Sequence, residues 1–274
     1  LDESNYLRVV SMIMHKGELY FSVFNRQGGL ISLFLNEPMS GTLFKLDNGR
    51  ASDMSGQIKR GVLSFYSDGK NLFAITHING VYMLDGKEWK DISRMLPDMG
   101  FSNLITDEND HIYLTGGCDV DIYGEQRIGD SNIVNQIYLS RDFGKIWEGL
   151  LDGNPFDSGA KQIIQHPSNK KVFFAATSNG LFVSKDKGKT WQQENNDLNF
   201  ENIGAMVVGE NHVYAGTLGG GVYSGRIESD YSVKWSKSSG PYPYIYDIKL
   251  MLDPEDPRSL YASSYPGGVF KSVD

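Results

Sequence analysis

The chain of 274 residues has one cysteine, Cys118, so no internal disulfide can staple it. It lacks any run of about 18 apolar residues, which excludes a helical membrane span. It also lacks a basic stripe. Its 26 Lys and Arg stand against 34 Asp and Glu, a net charge of −8 spread along the chain. That balance argues against nucleic acid as a partner and favours solubility. No signal peptide is visible and the first residue is Leu1, so the expectation is a mature form or a piece of something longer. The single cysteine fits a cytoplasmic protein, or a large exported domain that needs no disulfides. No cofactor is expected, and no helical period of any length runs through the sequence.

What is present is 12% aromatic residues and 31 glycines, the mixture of short strands joined by tight turns. An apolar-aromatic pair opens a short strand six times, at Leu19-Tyr20, Leu72-Phe73, Ile112-Tyr113, Val172-Phe173, Val213-Tyr214 and Leu260-Tyr261. In five units a glycine and a second apolar strand follow, as GGLISLFL from Gly28, NGVYML from Asn79, NGLFVS from Asn179, GGVYSG from Gly220 and GGVFKS from Gly267. The third unit delays that strand to QIYLS, from Gln136. Tryptophan often closes the unit, at Trp89, Trp147, Trp191 and Trp235.

Each unit reads as four antiparallel strands, A to D, which is the pattern of a propeller blade. The fold expected is therefore all-β, a six-bladed β-propeller in one domain over 1–274, with blades at about 9–50, 58–92, 101–150, 160–195, 202–238 and 245–274. The sixth unit stops at its strand C, and Glu3 to Val9 is expected to supply its outer strand and close the ring. The rival reading is a segment cut from a longer array.

Two octets are near copies, SRDFGKIW from Ser140 and SKDKGKTW from Ser184. Both lie between strands C and D. Gly144 and Gly188 would take positive φ, Asp142 and Asp186 would accept backbone N–H groups of the turn, and Trp147 and Trp191 would lie against the blade. Asp85 to Trp89 is a shortened version, and blade five replaces the motif with a longer segment from Arg226 to Trp235. Ser140, Asp142, Gly144, Trp147, Ser184, Asp186, Gly188 and Trp191 are thus structural residues in this reading. The octets resemble the Asp-box, or BNR, repeat of sialidases, xyloglucanase-like hydrolases and sortilin-type receptors. The resemblance implies a propeller in which the box is a fold element remote from any active site.

Strands A and C run the same way. The B–C loops and the D–A connections therefore share one face, and the A–B and C–D turns share the other. By analogy with other propellers, ligands are expected on the first face. It would show Arg26, His77, Tyr265 and two unusual segments. One is the insertion from Gly116 to Asn135, about twenty residues where other blades turn in about four, carrying Cys118, Asp119, Asp121 and Tyr123. It lacks EF-hand spacing and is read as a solvated acidic loop without a metal. The other holds Tyr242, Tyr244 and Tyr246 alternating with Pro241, Pro243 and Ile245, either a flat aromatic platform for a sugar or peptide or packing between blades. His15, His111, His166 and His212 fall at A–B corners and are read as turn residues. A nucleophilic Cys118 would need His77 beside it.

These residues point to a non-catalytic extracytoplasmic module, at the cell surface or in the periplasm, that binds glycan or protein or serves an assembly. The ligand-binding candidates are Arg26, His77, Asp119, Asp121, Tyr123, Tyr242, Tyr244 and Tyr265. The alternative is a glycoside hydrolase with a site at the channel mouth. Against it, the resemblance implies an Arg-Ile-Pro segment in sialidases and an aspartate before Gly-Gly in xyloglucanase-like enzymes. This chain has neither: its B–C loops read HINGV, TSNGL, TLGGGV and SYPGGV.

Overall fold

The structure, a computed structural model, describes residues 7–25, 41–47, 49–58, 61–76, 80–97, 100–116, 119–120, 126–127, 137–150, 156, 160–199, 202–237, 247–256, 258–265 and 267–272. Six antiparallel sheets follow one another along the chain; each pairs strands in chain order, except that in the third the two-stranded insertion Asp119–Val120 with Gln126–Arg127 stands between two paired strands. Five have four strands. The sixth has three among the described residues, Asp247–Leu252, Leu260–Tyr265 and Gly268–Ser272. The fold is all-β, a six-bladed β-propeller. Its one helical element is a single 3-10 turn, Ser55–Gln57, among the described residues.

The chain divides into two compact units. The first comprises Leu1–Phe101 with Ser140–Trp147, and the second Ser102–Leu139 with Glu148–Asp274.

The first unit holds blades one and two. In blade two the strands are Val62–Ser67, Leu72–Thr76, Val81–Asp85 and Glu88–Asp91. Strand B there is buried at every position, because its two faces pack on different neighbours. Tyr20 and Leu43 of blade one join Val62, Leu72, Ala74 and Trp89 of blade two in one cluster, with Tyr20 edge-on to Trp89 at 6.3 Å.

Blade one departs from expectation at two places. Its third strand is Gly41–Asp47, not the GGLISLFL run, whose residues lie outside those described. The register explains the choice: GTLFKLD pairs Phe44 with Phe21 and Lys45 with Tyr20. The two phenylalanines stack at 5.3 Å, and Lys45 reaches Glu18 at 2.5 Å. Second, strand A begins at Leu7, with Leu7, Arg8 and Val9 opposite Asn25, Phe24 and Val23. The end of the expected closing segment therefore belongs to blade one, and residues 1–6 lie outside those described.

In the second unit, blade four shows the regular pattern: Ala160–Gln165, Phe173–Thr177, Gly180–Ser184 and Gln192–Gln193. Its strand B, FFAAT, is buried throughout. Phe173 meets Tyr113 of blade three at 4.8 Å, while Phe174 and Ala176 join Tyr223, Val233 and Trp235 of blade five. Each such phenylalanine contributes roughly 1.5–3 kcal/mol by leaving water. Blade five (Ile203–Val208, His212–Thr217, Gly221–Ile227, Val233–Lys237) then packs on blade six through Ala205, Val222, Ile248 and Leu260. Gly216 permits that approach, since a Cβ there would stand 2.4 Å from Ile248.

Strand A has a recurring irregularity. A bulge interrupts its pairing at Val9/Ser11, Val62/Ser64, Ala160/Gln162 and Ile203/Ala205. A bulge leaves a backbone group without its ladder partner. Beyond two of these bulges, side-chain amides of the preceding blade accept the strand's N–H groups. Asn103 Oδ1 takes Ile163 N at 2.9 Å and Gln162 Oε1 takes Met206 N at 2.8 Å.

Candidate functional site

The two octets fold alike. In the first, Ser140 Oγ donates to Asp142 Oδ1 at 2.9 Å and accepts Gly144 N at 2.8 Å, while Asp142 Oδ1 accepts Ile146 N at 2.9 Å. In the second, Ser184 bonds Asp186 at 2.8 Å and Gly188 N at 2.8 Å, and Asp186 Oδ1 accepts Thr190 N at 2.8 Å. Positive φ runs over two residues in each, Phe143 and Gly144, then Lys187 and Gly188. The glycines were legible in the sequence; the strained residue before each was not. The Ile146 N–H holds the Asp142 carboxyl below its usual range. Burial opposes ionisation of Asp186, but the Thr190 hydroxyl and N–H outweigh it, so its carboxyl also lies below that range.

These carboxylates are engaged by their own turns, and the turns rest on the exit of the preceding blade. Gly144 lies where a Cβ would meet Ile92 at 2.5 Å, and Gly188 lies 3.3 Å from Leu150 on the same measure. Ile92 and Leu150 each stand three residues after a tryptophan, Trp89 and Trp147. Their N–H groups close the same bond, Ile92 to Val81 O and Leu150 to Ile137 O. Trp147 Nε1 then donates to Ile92 O at 2.8 Å, and Trp235 Nε1 donates to Glu194 O, three residues after Trp191, at 2.7 Å. Trp191 instead bonds Gly188 O within its own turn and meets Phe156 at 5.5 Å. Trp147 and Trp191 are half-buried, less covered than Trp89 and Trp235 at 6% exposure each. The octet is a joint between blades.

The A–B corners are joints as well. His15 Nδ1 lies 2.7 Å from Ser67 Oγ, linking blades one and two. His166 Nε2 lies 3.0 Å from Glu210 O, linking blades four and five, while its Nδ1 accepts Ser168 N and Asn169 N. His111 bonds Asp107, whose carboxylate has no exposed surface and also receives Lys187 Nζ from the second octet at 3.3 Å. Burial raises the Asp107 carboxyl, but the Asn109 and His111 N–H groups carry it below its ordinary value. Among the described residues no three His, Cys, Asp or Glu side chains gather as metal ligands.

The opposite face presents different chemistry. Buried threonines close the B–C turns: Thr76, Thr177 and Thr217 donate to the carbonyls of Gly80, Gly180 and Gly221 at 3.2, 2.9 and 2.9 Å. Ser178 and Asn179 form the blade-four turn, which Asn195 clasps from the D–A connection, Oδ1 to Leu181 N at 2.9 Å and Nδ2 to Asn179 O at 2.6 Å. Gly180, at φ +108, leaves Asn195 that room. Lys161 Nζ, beside the strand-A bulge, reaches Asn202 Oδ1 at 2.5 Å, and Asn202 O accepts Leu218 N of the blade-five turn. These groups are spent within the fold, and Ser178, Asn179, Leu218 and Gly219 stand half-buried on the two turns. Asn195, Asn202 and Lys161 carry no sequence signal beyond their place at strand ends.

Of the residues expected there, Arg26, His77, Asp121, Tyr123, Tyr242 and Tyr244 lie outside the described residues. Asp119 is placed by its backbone, in a two-residue strand paired with Gln126–Arg127 inside the long insertion. Tyr265 is placed likewise, at the end of blade-six strand B opposite Asp247.

No family model matches the chain, and no curated protein does. Solved structures do resemble it. The extracellular domain of a B. thetaiotaomicron protein described as a one-component system aligns with TM-score 0.66 at 14% identity, over 97% of this chain and 33% of that one. An ancestral GH74 enzyme aligns at 0.66 and 13%, over 99% and 37%. YCF48 bound to D1 peptide aligns at 0.61 and 14%, over 100% and 80%. The chain spans about a third of the first two and most of the third. At such identities the likeness is one of fold: this chain is built as a β-propeller, on a scaffold that serves enzymes and binding modules alike.

Proposed function

We propose that the chain is a single propeller domain acting as a non-catalytic, extracytoplasmic binding or assembly module, with glycan or protein held on the B–C and D–A face. The observation that supports this most is the division of chemistry between the two ends of the blades. The octet carboxylates are engaged by their own turns, and the corner residues His15 and His166 tie neighbouring blades. The opposite turns of blades four and five present Ser178, Asn179, Leu218 and Gly219, backed by Lys161, Asn195 and Asn202. Arg26, His77, Asp119, Asp121, Tyr123, Tyr242, Tyr244 and Tyr265 are the residues we assign to the ligand. The octets support membership of the Asp-box propellers, and the extracellular domain among the similar structures supports the location. YCF48, bound to a peptide, supports a protein or peptide ligand.

The likeness to a GH74 enzyme favours a second reading, glycoside hydrolysis. That chemistry needs two carboxyl groups flanking the scissile bond. A glycan array with sialylated and xyloglucan oligosaccharides, assayed in parallel for cleavage, separates the readings. Binding without turnover, lost in Tyr242→Ala or Tyr244→Ala, is the expected result. Cleavage would overturn the module reading and direct attention to the carboxylates of residues 116–135.

A further inference from the structure

The corner between blades one and two joins groups that respond to acid. His15 ends strand A of blade one and is buried, 6% exposed. Its Nδ1 bonds Ser67 Oγ at the matching corner of blade two, and Ser67 Oγ also accepts Gly69 N at 3.1 Å. The neighbouring Lys16, held at positive φ, crosses the same gap to donate its ammonium to Lys70 O at 2.7 Å. Both links between the two corners therefore start from adjacent residues, one already charged and one chargeable. We propose that this corner is a pH-sensitive latch: blades one and two are fastened there while His15 is neutral, and the fastening loosens when His15 takes a second proton.

The surroundings decide the direction. The Tyr20 ring stands edge-on to the imidazole at 6.5 Å and supplies no charge. Glu18 on strand B and Asp68 on the blade-two corner favour the cation, but Glu18 is engaged by Lys45 and by the Tyr20 hydroxyl, and Asp68 by the N–H groups of Lys70 and Asn71. Burial first, and Lys16 second, hold the imidazole below its ordinary value of 6.5. A folded-state value below the unfolded one means the latch is fully stabilising above about pH 6.5 and weakens as pH falls through that value. The loss at pH 5.5 has a ceiling of about tenfold in the opening equilibrium, set by one proton and an unperturbed imidazole.

Amide hydrogen exchange on the whole chain tests the latch, with rates corrected for intrinsic exchange. The amides of Gly69, Lys70 and Asn71 should lose several-fold protection between pH 7.5 and 5.5. His15→Gln, which keeps a hydrogen-bonding side chain but cannot titrate, should abolish the pH dependence. Lys16→Met removes the nearby cation together with its bond to Lys70 O; protection should fall at both pH values but its loss between them should shrink, with the imidazole in place, which covers the case in which the glutamine variant folds poorly. Protection that is flat with pH in the parent chain would overturn the proposal. So would the same pH dependence in all three proteins.

Discussion

Blades three and four turn from strand C to strand D with an octet; blade five makes that turn without one. In the first two, Asp142 and Asp186 accept the N–H of the residue before the tryptophan. In blade five an acceptor from outside the blade takes the N–H two residues before the tryptophan. Glu194, 3% exposed at the exit of blade four, accepts Val233 N at its Oε2 at 3.2 Å, and its backbone carbonyl accepts Trp235 Nε1. Glu194 holds the position where the other joints have Ile92 and Leu150. The comparison teaches that the repeated element is a demand of the backbone. A strand start must be capped and a tryptophan must be seated, and the octet is one local way of meeting both.

The comparison can be broken most strongly at its tightest contact. Gly144→Ala puts a Cβ at positive φ and against the Cβ of Ile92, where neither side yields easily. We expect a loss of about 3 kcal/mol in urea denaturation, from roughly 1–2 kcal/mol of left-handed strain plus overpacking. Gly188→Ala meets the end of Leu150 at 3.3 Å, with Trp191 and Phe173 at ordinary contact distance, and should lose about 1 kcal/mol, mostly from strain. Equal losses would show that the two octets do not press on their neighbours differently.

Glu194→Leu restores the aliphatic residue of the other joints but strands the Val233 N–H. An unpaired buried donor costs about 1–3 kcal/mol. Glu194→Gln keeps an acceptor and should cost less than about 1 kcal/mol in the same denaturation series. If leucine proved neutral, blade five would not depend on the carboxylate.

Acid should sharpen the contrast between carboxylates. Asp142, Asp186 and Asp107 all lie below their ordinary range when folded. Each therefore adds stability that is present above about pH 3.9 and disappears as pH falls through the lowered folded value. Replacing Asp186 with Asn should flatten that acid limb, as read from denaturation midpoints between pH 5 and 2. An unchanged slope would mean that Asp186 binds its turn no more tightly when ionised.

The smallest effect belongs to Lys187. Its ammonium meets Glu108 at 2.6 Å and Asp107 at 3.3 Å, yet its side chain is 27% exposed. Lys187→Met should cost under about 1 kcal/mol and lose even that in high salt.

Much of this architecture was legible in the sequence because it is local. The apolar-aromatic strand B, the glycine turn and the octet recur at spacings a reader can align, and all six blades appear where those signals stand. Blade one misled because GGLISLFL offers a glycine and an apolar run, and periodicity alone cannot rank it against GTLFKLD. Only pairing with Tyr20 and Phe21 does that. The joints were partly hidden because their partners are distant in the chain: Glu194 caps a residue 39 positions away, and Lys187 meets Asp107 at 80. The B–C and D–A face was legible only as topology. Turn residues such as Asn179 and Asn195 look like any other turn residues until the fold brings them into contact.

The most direct test follows the amide protection of Ile146, Thr190 and Val233 in three variants, Asp142→Ala, Asp186→Ala and Glu194→Leu. The account predicts that each aspartate variant exposes only its own turn, at Ile146 or at Thr190, while Glu194→Leu exposes Val233 in the next blade. Val233 remaining protected in Glu194→Leu would contradict the claim that a neighbouring blade performs the octet's work.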